Sequence, residues 1–293
     1  MPQSHDPLDD LTAGFRKALN RHGYTFQYLV CGEAQRLYEK GDSPWQFIAA
    51  EFPVETPSAG TRIDLILRHR QHPHIMVVEC KRANPAVANW CFAKAPRVSR
   101  NRSREYYFAE RLVRNESECS SAPIRSTQEI DAYHIALEVR RQGAKGDVAQ
   151  SGRGSIEEAA TQVLRGVNGL AELFLHHPEL LGDRQYVVIS PAIVTTAELF
   201  ISPVNLLVGD LGTGEVDDDF PGLEKRTWTN LQYHQSPSLK HSGEEARMYP
   251  VELWRILDSE YVRTVPIVSA EGIGEFLSWS SHLGEDYGDF AAA

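Results

Sequence analysis

The chain has 293 residues, a hydrophobic content of 42%, a formal net charge of −10 and four cysteines without C-x-x-C spacing. These values suit a globular protein in a reducing, cytoplasmic setting, either one large domain or a core with a substantial extension. The N-terminus lacks the basic and apolar regions of a secretory signal, and the most apolar stretch, residues 186–208, is interrupted by Pro191, Glu198 and Pro203, which excludes a membrane span.

The first part of the chain carries helix signals and then a strand signal. Residues 8–40 are predicted to be helical with a break near His22 and Gly23, and Gly41 marks the end of this segment. Residues 46–54 read as a strand that is followed by a turn-prone segment. This order favours a mixed α/β fold.

Two apolar runs follow, RIDLILR (62–68) and IMVVECK (75–81), joined by a short polar segment that suits a hairpin. Strand alternation places Glu79 and Lys81 side by side on one face of the second run, and the hairpin brings Asp64 next to Glu79. The same alternation places the apolar residues of the first run on the face opposite Asp64, namely Ile63, Leu65 and Leu67.

Asp64, Glu79 and Lys81 are the strongest functional candidates. Metal-assisted phosphodiester cleavage needs two hard carboxylate oxygens to hold Mg²⁺ and a cation beside the scissile phosphate. The backbone carbonyl of Cys80 offers a further oxygen ligand. Alternatively, these residues are ordinary strand charges, but they interrupt runs of Ile, Leu, Met and Val in which an uncompensated carboxylate is costly to bury. The sequence therefore predicts a Mg²⁺ site, which Mn²⁺ could also fill.

Residues 83–154 are rich in Arg, Ser and Asn and predict a functional insertion, with a helix around 127–142. Within it, residues 93–115 carry seven Lys or Arg and two Glu, a net charge of +5 that favours a polyanion despite the acidic total. The candidates for phosphate contacts are Arg97, Arg100, Arg102 and Arg104. The aromatic residues, which either stack on unpaired bases or form a small hydrophobic cluster, are Trp90, Phe92, Tyr106, Tyr107 and Phe108.

Ser155 opens the clearest helix of the chain. Glu158 follows three residues later in a capping-box pattern, and an apolar stripe at helical spacing continues to about His177. Strands are predicted in the apolar stretch that begins at residue 186. The helix therefore connects the two motif strands to a later strand of the same core.

Charge divides the chain unevenly. Residues 209–293 contain 6 Lys or Arg and 16 Asp or Glu, whereas residues 1–208 are neutral overall. We therefore predict a core over residues 1–208 and an acidic C-terminal extension, 209–293, packed on it. The extension is expected to contain a strand over 262–270 and a short helix over 271–283.

The order of helix, three strands, helix and strand, with Asp64 and Glu79-x-Lys81 on consecutive strands, resembles the PD-(D/E)xK nuclease superfamily. The resemblance covers the motif strands well and residues 24–208 in general order, and Ile63 departs from the proline often found before the first acid. It implies a restriction-endonuclease-like α/β core with a mixed central sheet flanked by helices. By this resemblance Asp64 and Glu79 bind Mg²⁺, and Lys81 orients the attacking water or steadies charge on the phosphate.

The resemblance also points to supporting residues, each with a simpler alternative. Glu33 matches a helix position at which many members carry another acid facing the metal, or it is a solvent-facing glutamate. Glu51 could fill that role from the first strand, although a surface role is favoured. Gln162 keeps half of the Gln-x-x-x-Tyr pattern of RecB-like members, because Gly166 replaces the tyrosine. It either points at the site or the DNA backbone, or only borders the apolar stripe.

We expect a Mg²⁺-dependent deoxyribonuclease that hydrolyses DNA, an endonuclease of restriction or phage-defence type. Two alternatives stay open: a repair or recombination nuclease acting on branched or single-stranded DNA, and a non-catalytic binding module on the nuclease fold. A homo-oligomer, or a protein partner bound through the acidic C-terminal region, is also open, and no membrane partner is expected.

Overall fold

The structure, a computed structural model, describes residues 7–57, 59–95, 106–115, 118–126, 130–140, 154–216, 221–235 and 262–281. Within these ranges the chain forms a large mixed β-sheet with helices on both faces and a second, smaller sheet. The predicted α/β class with a mixed central sheet is therefore confirmed. In the same described part of the chain, no helix combines the length and the apolar character needed to cross a bilayer.

The described α-helices are α1 (Pro7–Arg21), α2 (Tyr24–Lys40), α3 (Ser155–His176) and α4 (Ile273–Trp279). Gly23 separates α1 from α2 because its φ of 80° lies in the left-handed region, which glycine adopts without a steric penalty. Gly41 ends α2 in the same conformation, and its N–H bonds to the carbonyl of Tyr38. The predicted break near Gly23 and the predicted end at Gly41 are confirmed.

The described strands are β1 (Trp45–Glu55), β2 (Gly60–His69), β3 (His74–Lys81), β4 (Asn89–Ala93), β5 (Tyr106–Asn115), β6 (Glu118–Ser126), β7 (Ala132–Tyr133), β8 (Ile135–Val139), β9 (Tyr186–Thr195), β10 (Glu198–Ser202), β11 (Glu224–Arg226), β12 (Trp228–His234) and β13 (Val262–Ser269). The main sheet has the order β1-β2-β3-β9-β13-β12-β7, and the β5–β6 hairpin pairs with β9 through β5. The smaller sheet has the order β11-β10-β4-β8.

The sheet order explains the position of α3. Strands β1, β2 and β3 form an antiparallel meander, and β3 pairs in parallel with β9 from His74–Val188 to Lys81–Thr195. A parallel neighbour cannot be reached by a tight hairpin, so the chain crosses over a sheet face between β3 and β9. Helix α3 lies on this crossover and covers the face of the motif strands.

Two hydrophobic layers hold the helices on the sheet. On one face Ile66 and Val77 pack with the apolar stripe of α3. On the other face Leu65 and Val78 pack with α2 and α4, where Phe276 is buried. Because both faces of β2 and β3 are covered, the middle of these strands is shielded from water. Polar groups placed there therefore lose hydration and need partners.

The predicted helix around 127–142 is wrong. The described residues 130–140 form β7 and β8, and β8 pairs antiparallel with β4. Trp90 and Phe92 of β4 are completely buried in the hydrophobic core that includes the apolar stripe of α3. Tertiary contacts therefore decide the conformation of the segment. The burial of Trp90 and Phe92 confirms the hydrophobic-cluster alternative for these two residues and removes them from base stacking.

The described part of residues 209–293 belongs to the sheets. β11 joins the smaller sheet, and β12 and β13 extend the main sheet beyond β9. Helix α4 packs on the same face as α2. The strand and short helix predicted near the C-terminus are confirmed, and they complete the core sheet and one of its layers.

Candidate active site

The β2–β3 hairpin brings Asp64 next to Glu79. The two strands pair Leu65 with Val78, and the same register extended by one residue places Asp64 opposite Glu79. The Asp64 carboxylate accepts a hydrogen bond of 2.8 Å from the backbone N–H of Cys80. The side chain of Asp64 is thereby fixed against the strand that carries Glu79 and Lys81, as the sequence predicts.

Side-chain alternation along β2 is interrupted at Asp64. Ile63 packs with Ile66 and Val77 on the α3 face, whereas Leu65 lies on the α2 face. The prediction that Ile63 and Leu65 share one face is therefore wrong. The irregularity turns the Asp64 carbonyl toward α2, where it accepts a bond from that helix. The side-chain carboxylate of Asp64 accepts the hydrogen bond from the Cys80 N–H.

Burial and nearby negative charges raise the pKa values of both carboxyl groups. Loss of hydration raises the pKa of Asp64 to about 6, and the charge of Glu51 adds to this effect, while the Cys80 N–H and Lys81 oppose it. For Glu79, loss of hydration and then the charge of Asp64 raise the pKa to about 9. A site in which two adjacent carboxylates resist ionisation favours a bound cation.

Lys81 lies close enough to Asp64 and Glu79 to affect their pKa values, and it forms an ion pair with Glu158. Its ammonium lies 2.7 Å from the carboxylate of Glu158 on α3, with the Lys81 side chain 19% exposed and that of Glu158 56% exposed. The charge of Glu158 also contributes to the raised pKa of Glu79. Glu158 is therefore a member of the site that is not among the predicted functional residues.

The predicted capping box of α3 is wrong. Gly154 is the N-cap residue, and the N–H and hydroxyl of Ser155 both donate to the carboxylate of Glu138 on β8. The Glu138 carboxylate accepts the backbone N–H of Ser155 in the first turn of the helix. The Glu158 carboxylate does not cap the helix and instead accepts a hydrogen bond from Lys81. The smaller sheet thus orients the N-terminus of the helix that covers the site.

Two further polar residues lie next to Asp64: Gln27 on α2 and Glu51 on β1. Gln27 is 4% exposed, and its amide donates to the Glu51 carboxylate at 2.7 Å and to the Asp64 carbonyl at 3.0 Å. Gln27 is not a predicted site residue. Its signal in the sequence is a polar side chain on the helix face shared with Val30 and Ala34, which are buried. Glu51, for which a surface role was favoured, is partly exposed but adjoins Asp64.

The structure does not bring Glu33 to the site. Its carboxylate pairs with Arg36 one turn later, at 2.7 Å from the guanidinium Nε, on the outer side of α2. The buried face of α2 carries Gln27, whereas Glu33 lies at its border and turns its carboxylate to Arg36. The expectation that Glu33 faces the metal is therefore wrong, and the alternative of a solvent-facing glutamate is the one the structure shows.

Gln162 lies above the motif strands. It follows Glu158, which reaches Lys81, by one turn and precedes Gly166 by one turn. A Cβ atom added at Gly166 would lie 3.0 Å from Val77, so this helix stripe runs along β3. One turn of helix spans about the length of two strand residues, which puts Gln162 over Glu79. The side-chain oxygen of Gln162 is buried and has no hydrogen-bond partner among the residues that the structure describes.

The predicted phosphate-binding arginines, Arg97, Arg100, Arg102 and Arg104, lie outside the described residues. Two other arginines lie beside the site. Arg62, whose side chain is 70% exposed, approaches Glu51 at 3.8 Å. Arg82 follows Lys81 directly, is exposed, and donates to the Asn20 carbonyl at 2.8 Å. Arg62 thus places positive charge beside Glu51, and Arg82 places it at the end of β3, next to Lys81 in the chain.

Among the described residues, no set of three or more His, Cys, Asp or Glu side chains forms a complete metal-binding group. Mg²⁺ usually keeps several waters and takes only one or two protein carboxylates, so this observation is compatible with Asp64 and Glu79 as its ligands. Their burial and raised pKa values fit a cation between them. The Cys80 carbonyl stays a prediction, since the contact between Cys80 and Asp64 is made by the backbone N–H of Cys80.

Comparison with known proteins gives no assignment. No family model, no curated protein and no solved structure matches the chain. The chemistry of the site therefore rests on the residues described above.

Proposed function

We propose that the chain is a Mg²⁺-dependent deoxyribonuclease with a restriction-endonuclease-like, PD-(D/E)xK core. The observation that carries the proposal is the pair of partly buried Asp64 and buried Glu79 on adjacent antiparallel strands, with Lys81 two residues beyond Glu79. The element order α2, β1, β2, β3, α3 and β9 supports it, because it repeats the order of core elements that the motif implies.

In the proposed mechanism the acidic residues would bind the metal and the lysine would stabilise the phosphate. Asp64 and Glu79 would hold the metal, and the Cys80 N–H keeps the Asp64 carboxylate directed at the site. A bound Mg²⁺ would supply the positive charge that activates water and offsets charge on the leaving oxygen. The Lys81 ammonium would stabilise negative charge that develops on the phosphate. Since its partner Glu158 is more than half exposed, exchanging that carboxylate for a phosphate oxygen costs little.

DNA is the proposed substrate. Arg62, near Glu51, and Arg82, directly after Lys81, are both exposed and are available for contacts with backbone phosphates. The charge of residues 93–115 adds a second basic segment to the same chain. An endonuclease role in restriction or phage defence follows by analogy with the superfamily.

The test is cleavage of supercoiled plasmid by the purified full chain with Mg²⁺, with Mn²⁺ and with a chelator. We expect nicked or linear products only with metal, and near-complete loss in Asp64→Asn, Glu79→Gln and Lys81→Ala. Glu33→Gln is the matched control, because it removes an acid that the structure places away from the site. Cutting in the presence of chelator, or full activity of Glu79→Gln, contradicts the proposal.

A further inference from the structure

We propose that Gln27 is a positioning residue of this site: its amide fixes the backbone of Asp64 and the carboxylate of Glu51, and so sets the affinity of the site for a divalent cation. The proposal rests on the proposed function, since it concerns the same carboxylates. It assigns to α2 a role beyond covering the sheet.

The amide of Gln27 is buried, which makes its two hydrogen bonds consequential. With 4% of the residue exposed, an unpaired amide would cost free energy, whereas here its nitrogen donates both to Glu51 and to Asp64. The bond to the Asp64 carbonyl holds the peptide at the point where alternation along β2 is interrupted. Gln27 therefore fixes the irregular backbone on which the Asp64 carboxylate depends.

The hydrogen bond from Gln27 to Glu51 holds a residue whose backbone has an unusual conformation. Glu51 has a φ of 52°, and among the described residues it is the one non-glycine residue with a positive φ. Such a conformation costs about 1 kcal/mol or more and persists only when surrounding contacts enforce it. The register of β1 and β2 places Glu51 opposite Asp64, so a single amide ties α2 to both strands beside the acidic pair.

Only a neutral donor of this length serves both bonds. A glutamate at position 27 would present a carboxylate to the Glu51 carboxylate and to a carbonyl oxygen, and would add a negative charge beside Asp64 and Glu79. A methionine would fill the space without an N–H. Partners that orient the ligands of a metal site typically change metal affinity by about 10- to 100-fold when removed.

The experiment measures Mn²⁺ binding to the full chain by titration calorimetry without DNA, and then the Mg²⁺ dependence of plasmid cleavage. The variants are Gln27→Met and Gln27→Glu. Gln35→Met is the matched control, because Gln35 lies on the same helix and its amide bonds to Glu39 at the surface. Circular dichroism and thermal unfolding establish that each variant is folded.

We expect Gln27→Met to weaken Mn²⁺ binding about tenfold and to raise the half-saturating Mg²⁺ concentration by a similar factor, with the KM for DNA unchanged and Gln35→Met like the wild type. Unchanged Mn²⁺ affinity in the folded Gln27 variants, with a wild type that binds and cuts, overturns the positioning role alone. A wild type that neither binds Mn²⁺ nor cuts DNA overturns the proposed function and, with it, this role. If Gln27→Met does not fold, Gln27→Glu decides by the same criteria.

Discussion

The ammonium of Lys81 lies 2.7 Å from the carboxylate of Glu158, so a lysine of β3 and a glutamate of α3 form an ion pair across the candidate active site. If Lys81 acts on the phosphate and Glu158 only holds it in the absence of DNA, the two substitutions differ in effect. We expect Lys81→Ala to lower kcat by about 100-fold or more, whereas Glu158→Gln changes it by less than about tenfold. Single-turnover cleavage at saturating Mg²⁺ measures both.

A larger loss in Glu158→Gln than in Lys81→Ala would contradict this division of roles. It would place Glu158 among the groups that act directly on the metal or the water. Glu157→Gln is the control on the same helix turn, because Glu157 is an exposed acid next to Glu158, whereas it is Glu158 that pairs with Lys81.

Glu79 makes metal-free protein sensitive to alkaline pH. Its pKa rises from 4.5 to about 9 on folding, so the native state keeps a proton that the unfolded chain releases. The stability due to neutral Glu79 is complete at low pH and is lost as the pH rises toward 9. We expect the stability advantage of Glu79→Gln over the wild type to be small at pH 5 and much larger at pH 9, measured by urea unfolding with chelator. A difference that shrinks with rising pH would contradict the burial of this carboxyl.

Divalent cations should offset the loss of folding stability that ionised Glu79 causes. A ligand that binds the native state at 100 times its dissociation constant stabilises it by about 2.7 kcal/mol, which raises Tm by about 5 °C in a chain of this size. We expect this shift with Mn²⁺ in the wild type and its near absence in Asp64→Asn and Glu79→Gln. Differential scanning fluorimetry measures it, and Glu33→Gln, which keeps both buried carboxylates, should shift like the wild type. An equal shift in all variants would place the cation elsewhere.

The two arginines beside the site should contribute to DNA affinity in a salt-dependent manner. Arg62→Ala and Arg82→Ala are each expected to lower the slope of log Kd against log salt concentration by about one. Arg68→Ala is the control, because Arg68 lies near the other end of β2 and bonds to Gln46. Fluorescence anisotropy with a labelled duplex, in Ca²⁺ to prevent cutting, gives the slopes. A change for Arg68 equal to that for Arg62 would indicate a diffuse charge effect.

The sequence predicts the part of the site that lies on one hairpin. Asp64 and Glu79 are fifteen residues apart, and a tight turn between two strands leaves few registers, so their proximity follows from local rules. The bounds of α2 follow equally from Gly23 and Gly41. These features depend on neighbours in the chain, which is why they can be read before the fold is known.

Gln27, Glu51 and Glu158 join the site through tertiary packing. Each lies on a different element, and their positions depend on how α2 and α3 seat on the sheet. Glu33 shows the limit of matching by helix alone, since it borders the buried face of α2 but its carboxylate pairs with Arg36. The helix predicted around 127–142 fails for a related reason: pairing of β8 with β4 outweighs local propensity.

The Glu138 carboxylate, which receives both donors of Ser155, joins two parts of the protein that have separate surfaces. It belongs to the smaller sheet, yet it fixes the start of the helix from which Glu158 reaches Lys81. The ion pair between Glu158 and Lys81 therefore depends on a side chain of the smaller sheet, which holds the first residue of the helix in place.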